Sequence, residues 1–159
     1  MPTQRPASDL WFLNSRIVIH RSAEEAGGVS VMEHLMPFGD SPPRHVHACE
    51  DEIFHLVSGE IRFWVDGVER VLRPGETVVA PKALPHSFRV TSPDGARCLV
   101  ITVGGDFEGF VRDVSRPAET PGLPAPAAPT PQMADALAAA GRAHRIDLIG
   151  PPLDAAAAA

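Results

Sequence analysis

The sequence predicts an all-β protein, a barrel or two-sheet sandwich, and three features carry that prediction. Between Trp11 and Val103 the chain runs as short β-branched or apolar stretches separated by turn residues. The separators Ser58-Gly59, Asp66-Gly67, Pro74-Gly75 and Asp94-Gly95 each supply a residue that tolerates positive φ or pre-sets a bend. No helical period of useful length competes over the same residues.

In chain order, the expected strands are Ile17 to His20, Val29 to Met36, Ile53 to Val57, Ile61 to Val65, Thr77 to Ala80, His86 to Val90 and Cys98 to Val103. The alternation is clearest where Ile61, Phe63 and Val65 oppose Glu60, Arg62 and Trp64, which marks a strand with one face in the core and the other mostly wet. After Val103 the character changes. A Gly-Gly-Asp-Phe link leads into Phe107 to Val114, a short helical candidate, and then into a Pro-rich stretch from Pro117 to Pro131 that forbids both helix and central strand. Met133 to Ala140 reads as a short helix with Gly141 as its stop, and the closing Ala155 to Ala159 has no apolar face to bury and is expected to fray. The expected organisation is therefore a β-barrel over residues 11–103 and a segment, 104–159, of linker, Pro-rich arm and short C-terminal helix. The chain from about Pro117 onward is expected to be dispensable for the barrel, because strands and site residues all precede it.

Composition narrows the function classes. The 159 residues, 44% hydrophobic and 21% charged, fit one globular core. A net charge of -6 and the lack of any Lys/Arg cluster argue against nucleic-acid binding. No stretch approaches the ~20 continuous apolar residues of a membrane span. Pro and polar residues from Met1 to Leu10 replace the apolar core of a signal peptide, so a cytoplasmic protein is expected, with Cys49 and Cys98 reduced.

The chemistry concentrates between Gly39 and Gly59. His45 and His47, at a spacing of two, share one face of a strand and can aim both imidazoles into one cavity. A turn through Ala48 to Asp51 returns the chain so that Glu52 joins them from the next strand. Imidazole nitrogens and a carboxylate oxygen suit a divalent transition metal and leave positions open for water or substrate. Further on, a loop stiffened by Pro81 and Pro85 delivers His86 at the start of a strand, where it completes a set of three histidines and one carboxylate. Phe54 and Phe88 each stand two residues beyond a proposed ligand and so share its face, as pocket wall or as barrel core.

This pattern resembles that of the cupin superfamily. Gly39, five residues, His45-Val46-His47, four residues, Glu52, six residues and Gly59 is similar to the complete first cupin motif. Gly75, Pro81 and His86 resemble the second, with Ala83 where a Gly is usual and Val90 where an Asn is usual. The resemblance implies a double-stranded β-helix, or jelly-roll, barrel with the metal ligands at His45, His47, Glu52 and His86. The segment Gly104 to Phe110, followed by Glu119 and Gly122-Leu123-Pro124, resembles the tail of single-barrel, quercetin-dioxygenase-like cupins. That likeness implies one divalent metal per chain, among Fe, Mn, Ni, Co, Cu and Zn, and an oxygen-using dioxygenase acting on a small enolisable or aromatic, flavonol-like substrate. Glu52 would loosen from the metal to take the proton of a substrate hydroxyl. Two alternatives stay open: a metal-dependent isomerase or lyase on a small polar substrate, and a non-catalytic barrel that only binds a small ligand.

The remaining polar residues are expected to stand aside. His55, three residues after Glu52, falls on the opposite strand face. Of Glu33 and His34 only one can face inward. Glu50 and Asp51 are expected to solvate the turn and Cys49 to be a bystander within it, while His20 and His144 have no partners by spacing. Open sheet edges and the long arm point to a homodimer.

Overall fold

The computed structural model describes residues 8–155. The polar stretch before Ser8 and the closing alanines after Ala155 lie outside the described residues. Twelve strands and two helices follow one another: β1 Ser8–Phe12, β2 Ser15–Arg21, β3 Val29–Met36, β4 Arg44–His47, β5 Glu52–Ser58, β6 Ile61–Val65, β7 Val68–Leu72, β8 Thr77–Ala80, β9 His86–Val90, β10 Ala96–Val103, α1 Asp106–Val114, β11 Arg116–Pro117, α2 Pro131–Ala143 and β12 Ile146–Gly150. They form a seven-stranded sheet in the order β11-β1-β2-β3-β10-β5-β8 and a five-stranded sheet in the order β12-β4-β9-β6-β7, with every pairing antiparallel. This is the jelly-roll arrangement expected.

Strand alternation builds the core. β3 buries Ser30, Met32, His34 and Met36 and turns the residues between them outward, and β5 buries Glu52, Phe54 and Leu56 in the same manner. Register aligns these into cross-sheet rows such as Met32, Val100 and Phe54, which meet Ile61, Phe63, Leu72 and Val90 of the facing sheet. Hydrophobic burial on this scale is the main force closing the barrel. Between β6 and β7 the hairpin turns on Asp66 and Gly67, which take φ of 46° and 87° as a two-residue type I′ turn requires.

All seven expected strands are present, four with the expected ends and three, β2, β5 and β10, with ends that move by one or two residues. Of the other five, β4 was expected only from the spacing of its two histidines, and β1, β7, β11 and β12 were not expected. β1 extends the fold before Trp11, and β7, whose burial pattern is exposed except at Leu72, lacks the alternation that marks its neighbours. β4 carries two site histidines, and the two-residue β11 pairs with β1. β12 corrects the reading of the C-terminal region: it pairs with β4 at Ile146↔His47, Asp147↔Val46 and Leu148↔His45, so the chain beyond Pro117 supplies a strand of the second sheet.

The Pro-rich arm is extended, as Pro demands, and is fastened to the barrel. Trp11 Nε1 donates to Gly122 O (2.9 Å), Arg16 Nη1 to Pro121 O (2.5 Å), and Asn14 exchanges two hydrogen bonds with the backbone of Ala127. α2 begins where Thr130 caps the amide of Met133 and Pro131 opens the first turn. Gly141 does not stop it. The helix runs on to Ala143, and Gly141 is buried at a point where a Cβ would come 2.7 Å from the carbonyl oxygen of Ile146. Glycine at this point is a condition for β12 to dock.

Candidate metal centre

The four proposed ligands meet. β4 presents His45 and His47, the turn through residues 48–51 reverses the chain, and Glu52 opens β5. His86 opens β9 directly opposite His45 in register. Side-chain donor atoms from His45, His47, Glu52 and His86 all lie within 4.8 Å of one another, and all four residues are buried. Ring centroids are 4.3 Å apart for His45 and His86 and 5.2 Å for the pairs that include His47.

Each ring is anchored through Nδ1. His45 Nδ1 lies 2.7 Å from Pro43 O, His86 Nδ1 3.3 Å from Leu84 O, and His47 Nδ1 3.1 Å from Glu50 Oε1. Carbonyl and carboxylate oxygens only accept, so each Nδ1 carries the hydrogen and each Nε2 is left to face the cluster. The Nε2 atoms of His86 and His47 sit 3.1 and 3.3 Å from one oxygen, Glu52 Oε2. The Nε2 of His47 is buried and makes no hydrogen bond. Nitrogens aimed at a shared carboxylate oxygen need positive charge on or between them, either a proton or a metal ion. Bonds of about 2.0–2.2 Å to a common ion would hold such atoms roughly 3–4 Å apart, so the donor set fits a divalent cation.

The electrostatics agree. Burial would raise the Glu52 carboxyl, but the charges of His47, His86 and His45 together outweigh it and hold it at about 2. Burial, reinforced by His86 and His47, lowers His45 to about 3. His47 is raised in spite of its burial, because Glu52 and Glu50 favour its cation. At neutral pH the centre presents a carboxylate and a neutral His45, the forms that bind metal.

Around the centre, Phe54, Phe63 and Phe88 form an aromatic group with centroids 4.8–5.9 Å apart, and Phe54 lies 6.5 Å from the ring of His86. Phe54 is buried and Phe88 half-buried, on the ligand face of their strands. His55 is on the other face, bonded to Thr77 Oγ1. Of the Glu33-His34 pair, His34 points inward and Glu33 outward, between His20 and Arg97. His20 and His144 do have partners, Glu33 and Asp113, which come from other elements and are invisible to local spacing. Cys49 is exposed in the turn and Cys98 buried in β10, both as free thiols.

The turn acids require correction. Asp51 Oδ1 accepts from the amide of Lys82, tying the turn to the loop that delivers His86. Glu50 is only 1% exposed, so it does not solvate the turn. A carboxylate three residues after a ligand histidine, across a tight turn, has the reach to fold back onto that ring, which is the signal that could have found it. Phe107 was also missed as a neighbour: α1 brings its ring to 5.6 Å from His47 and 6.0 Å from His34.

The sequence profile described as the Cupin domain matches residues 31–102. Quercetin 2,3-dioxygenase of Bacillus subtilis (strain 168) is 34% identical over 83 residues, 52% of this chain and 24% of that protein. The chain thus matches about a quarter of the length of this curated relative. Among solved structures, a predicted oxalate decarboxylase from Thermotoga maritima superposes with a TM-score of 0.57 at 19% identity, covering 62% of this chain and 93% of the other. KdgF from Halomonas sp. gives 0.55 at 20% identity, covering 63% and 90%, and the Cnp3 cupin domain of Schizosaccharomyces pombe gives 0.55 at 14%, covering 74% and 81%. These structural likenesses bear on fold alone. The profile match lies over the very strands that bring three histidines and a glutamate together inside a double-sheet barrel, so residues 31–102 of this chain form a cupin domain.

Proposed function

We propose that the barrel holds one divalent transition metal on His45, His47, Glu52 and His86 and acts as an oxygen-using dioxygenase on a small enolisable or aromatic, flavonol-like substrate. The observation that carries the metal site is the buried convergence of Nδ1-anchored imidazoles on one carboxylate. The likeness to quercetin 2,3-dioxygenase over 83 residues favours the reaction class. A divalent metal bound there supplies open coordination positions and makes a coordinated hydroxyl far more acidic.

The chain's own residues would do the rest. His45, His47 and His86 fix the geometry, because their Nδ1 anchors keep the rings from turning. Glu52 Oε2, shared between two imidazoles, would take the substrate hydroxyl proton, becoming a neutral carboxyl while the negative charge passes to the substrate oxygen. Phe54 and Phe88 wall the pocket and shed water from it. A homodimer belongs to the same reading, since Val68 and Val71 of the edge strand β7 and Val79 of the edge strand β8 are exposed.

Oxygen uptake by metal-reconstituted protein, measured against a panel of flavonols and other enolisable aromatics, tests the activity. Uptake that requires both metal and substrate is expected. Turnover of a small polar substrate without oxygen consumption would move the assignment to an isomerase or lyase in which the metal acts only as a Lewis acid.

A further inference from the structure

The three ring anchors are not equivalent. His45 and His86 donate to neutral backbone carbonyls two residues before them, whereas His47 faces a carboxylate. We infer that Glu50 is a positioning residue of the metal centre, whose buried carboxylate locks His47 in the Nδ1–H tautomer and makes it the strongest donor of the three imidazoles. The inference rests on the metal-site reading above.

An anionic acceptor holds an Nδ1 hydrogen more strongly than a carbonyl does and enriches the electron density at Nε2, which is the atom turned toward the cluster. Glu50 is not free to swing away. The same Oε1 that meets His47 accepts the Phe107 amide at 2.5 Å, in the first turn of α1, where unpaired amides favour an anion. From the other side, Gly104 makes room for it: a Cβ at that position would sit 2.8 Å from both Cβ and Oε2 of Glu50. The imidazole of His47 is therefore braced by Glu50 at Nδ1 and by the Phe107 ring beside it.

The second oxygen, Oε2, adds an independent observation. It is buried without a hydrogen-bond partner, and among the described residues the one ion-pair contact of Glu50 is with His47. Burying a half-satisfied carboxylate is costly unless positive charge lies close by. A cation bound through His47 would supply that charge, so the arrangement favours metal binding more than it favours the metal-free fold.

Two measurements test this. In Zn2+-loaded wild-type protein, long-range proton–nitrogen NMR should show His47 as the Nδ1–H tautomer, with an exchange-protected proton further downfield than those of His45 and His86. In Co2+ titrations, wild-type protein should take up one ion per chain. Glu50→Gln, which keeps an acceptor oxygen but not the charge, should weaken binding about tenfold and shift the Co2+ visible absorption, and Glu50→Ala should weaken it about a hundredfold. Co2+ binding and absorption unchanged by Glu50→Gln, or an Nε2–H tautomer at His47, would overturn the role of Glu50 while leaving the metal site in place. Wild-type protein that takes up no Co2+ would overturn the site and this inference together. The NMR measurement needs no variant, so a Glu50→Gln protein that failed to fold would leave the question decidable.

Discussion

Glu52 closes a ring of three imidazoles through one oxygen, and in the proposed function that same oxygen takes a proton. Glu52→Gln separates them, because glutamine keeps an oxygen donor and loses the charge and the basicity. With metal saturating, turnover should fall on the order of a hundredfold or more while much of the metal is retained. Parallel loss of both, restored by excess metal, would leave Glu52 as a ligand alone. A second residue-scale prediction concerns Ala83, which holds φ of 64° in an exposed loop, at the place where the cupin motif it resembles usually has glycine. Its amide donates to His47 O at 2.7 Å, so the strained turn helps hold the ligand strand. Ala83→Gly removes the Cβ penalty and should raise stability by about 0.5–1 kcal/mol net of the added chain entropy, read from denaturant midpoints. His45 and His47 were legible because strand parity puts them on one face, and Glu52 and His86 joined them through the turn at 48–51, the Pro-stiffened loop and the resemblance to the cupin motifs. From the sequence Glu50 reads as solvating the turn, since an acid there ordinarily faces water; its i,i+3 spacing from His47 gave it the reach to fold back, but its enclosure depends on α1, far along the chain.

At the scale of elements, the strand that carries two of the three histidines depends on a partner from far along the chain. β4 meets β9 at the single register pair His45↔His86, while β12 pairs along its whole length. Deleting residues 131–159 should therefore loosen the site as well as the fold. Ile146 and Leu153, both almost fully buried, go with the deletion, and at roughly 1.5–3 kcal/mol for each such side chain the loss should be about 3–6 kcal/mol. Co2+ affinity should drop at least tenfold, the lower end of the usual penalty for losing ligand support. A deletion variant that kept full affinity would show that β9 alone fixes β4. The sequence concealed this dependence for a physical reason. The central strands bury one face each and so alternate, but β12 is five residues long, follows directly on the turn after α2, and owes its conformation to pairing more than to its own pattern.

For the molecule as a whole, the buried imidazole of His34 sets an acid limit separate from the ligands. Burial lowers it to about 4 from an ordinary 6.5, with the Glu52 charge opposing weakly. The fold thus favours the neutral ring, and the unfolded chain binds the extra proton between pH 6.5 and about 4. The contribution is fully present above 6.5 and is lost as pH falls through that window, amounting to about 3 kcal/mol. His34→Phe should flatten this part of the stability–pH curve of the metal-free protein, and an unchanged slope would show that His34 is not its source. One more consequence comes from the late position of β12. During synthesis His45, His47, Glu52 and His86 all emerge before the strand that steadies two of them, an interval of several seconds at roughly 5–20 residues per second. The nascent chain can gather its ligands in that interval but cannot lock them, so durable metal loading waits for residue 150 to clear the ribosome.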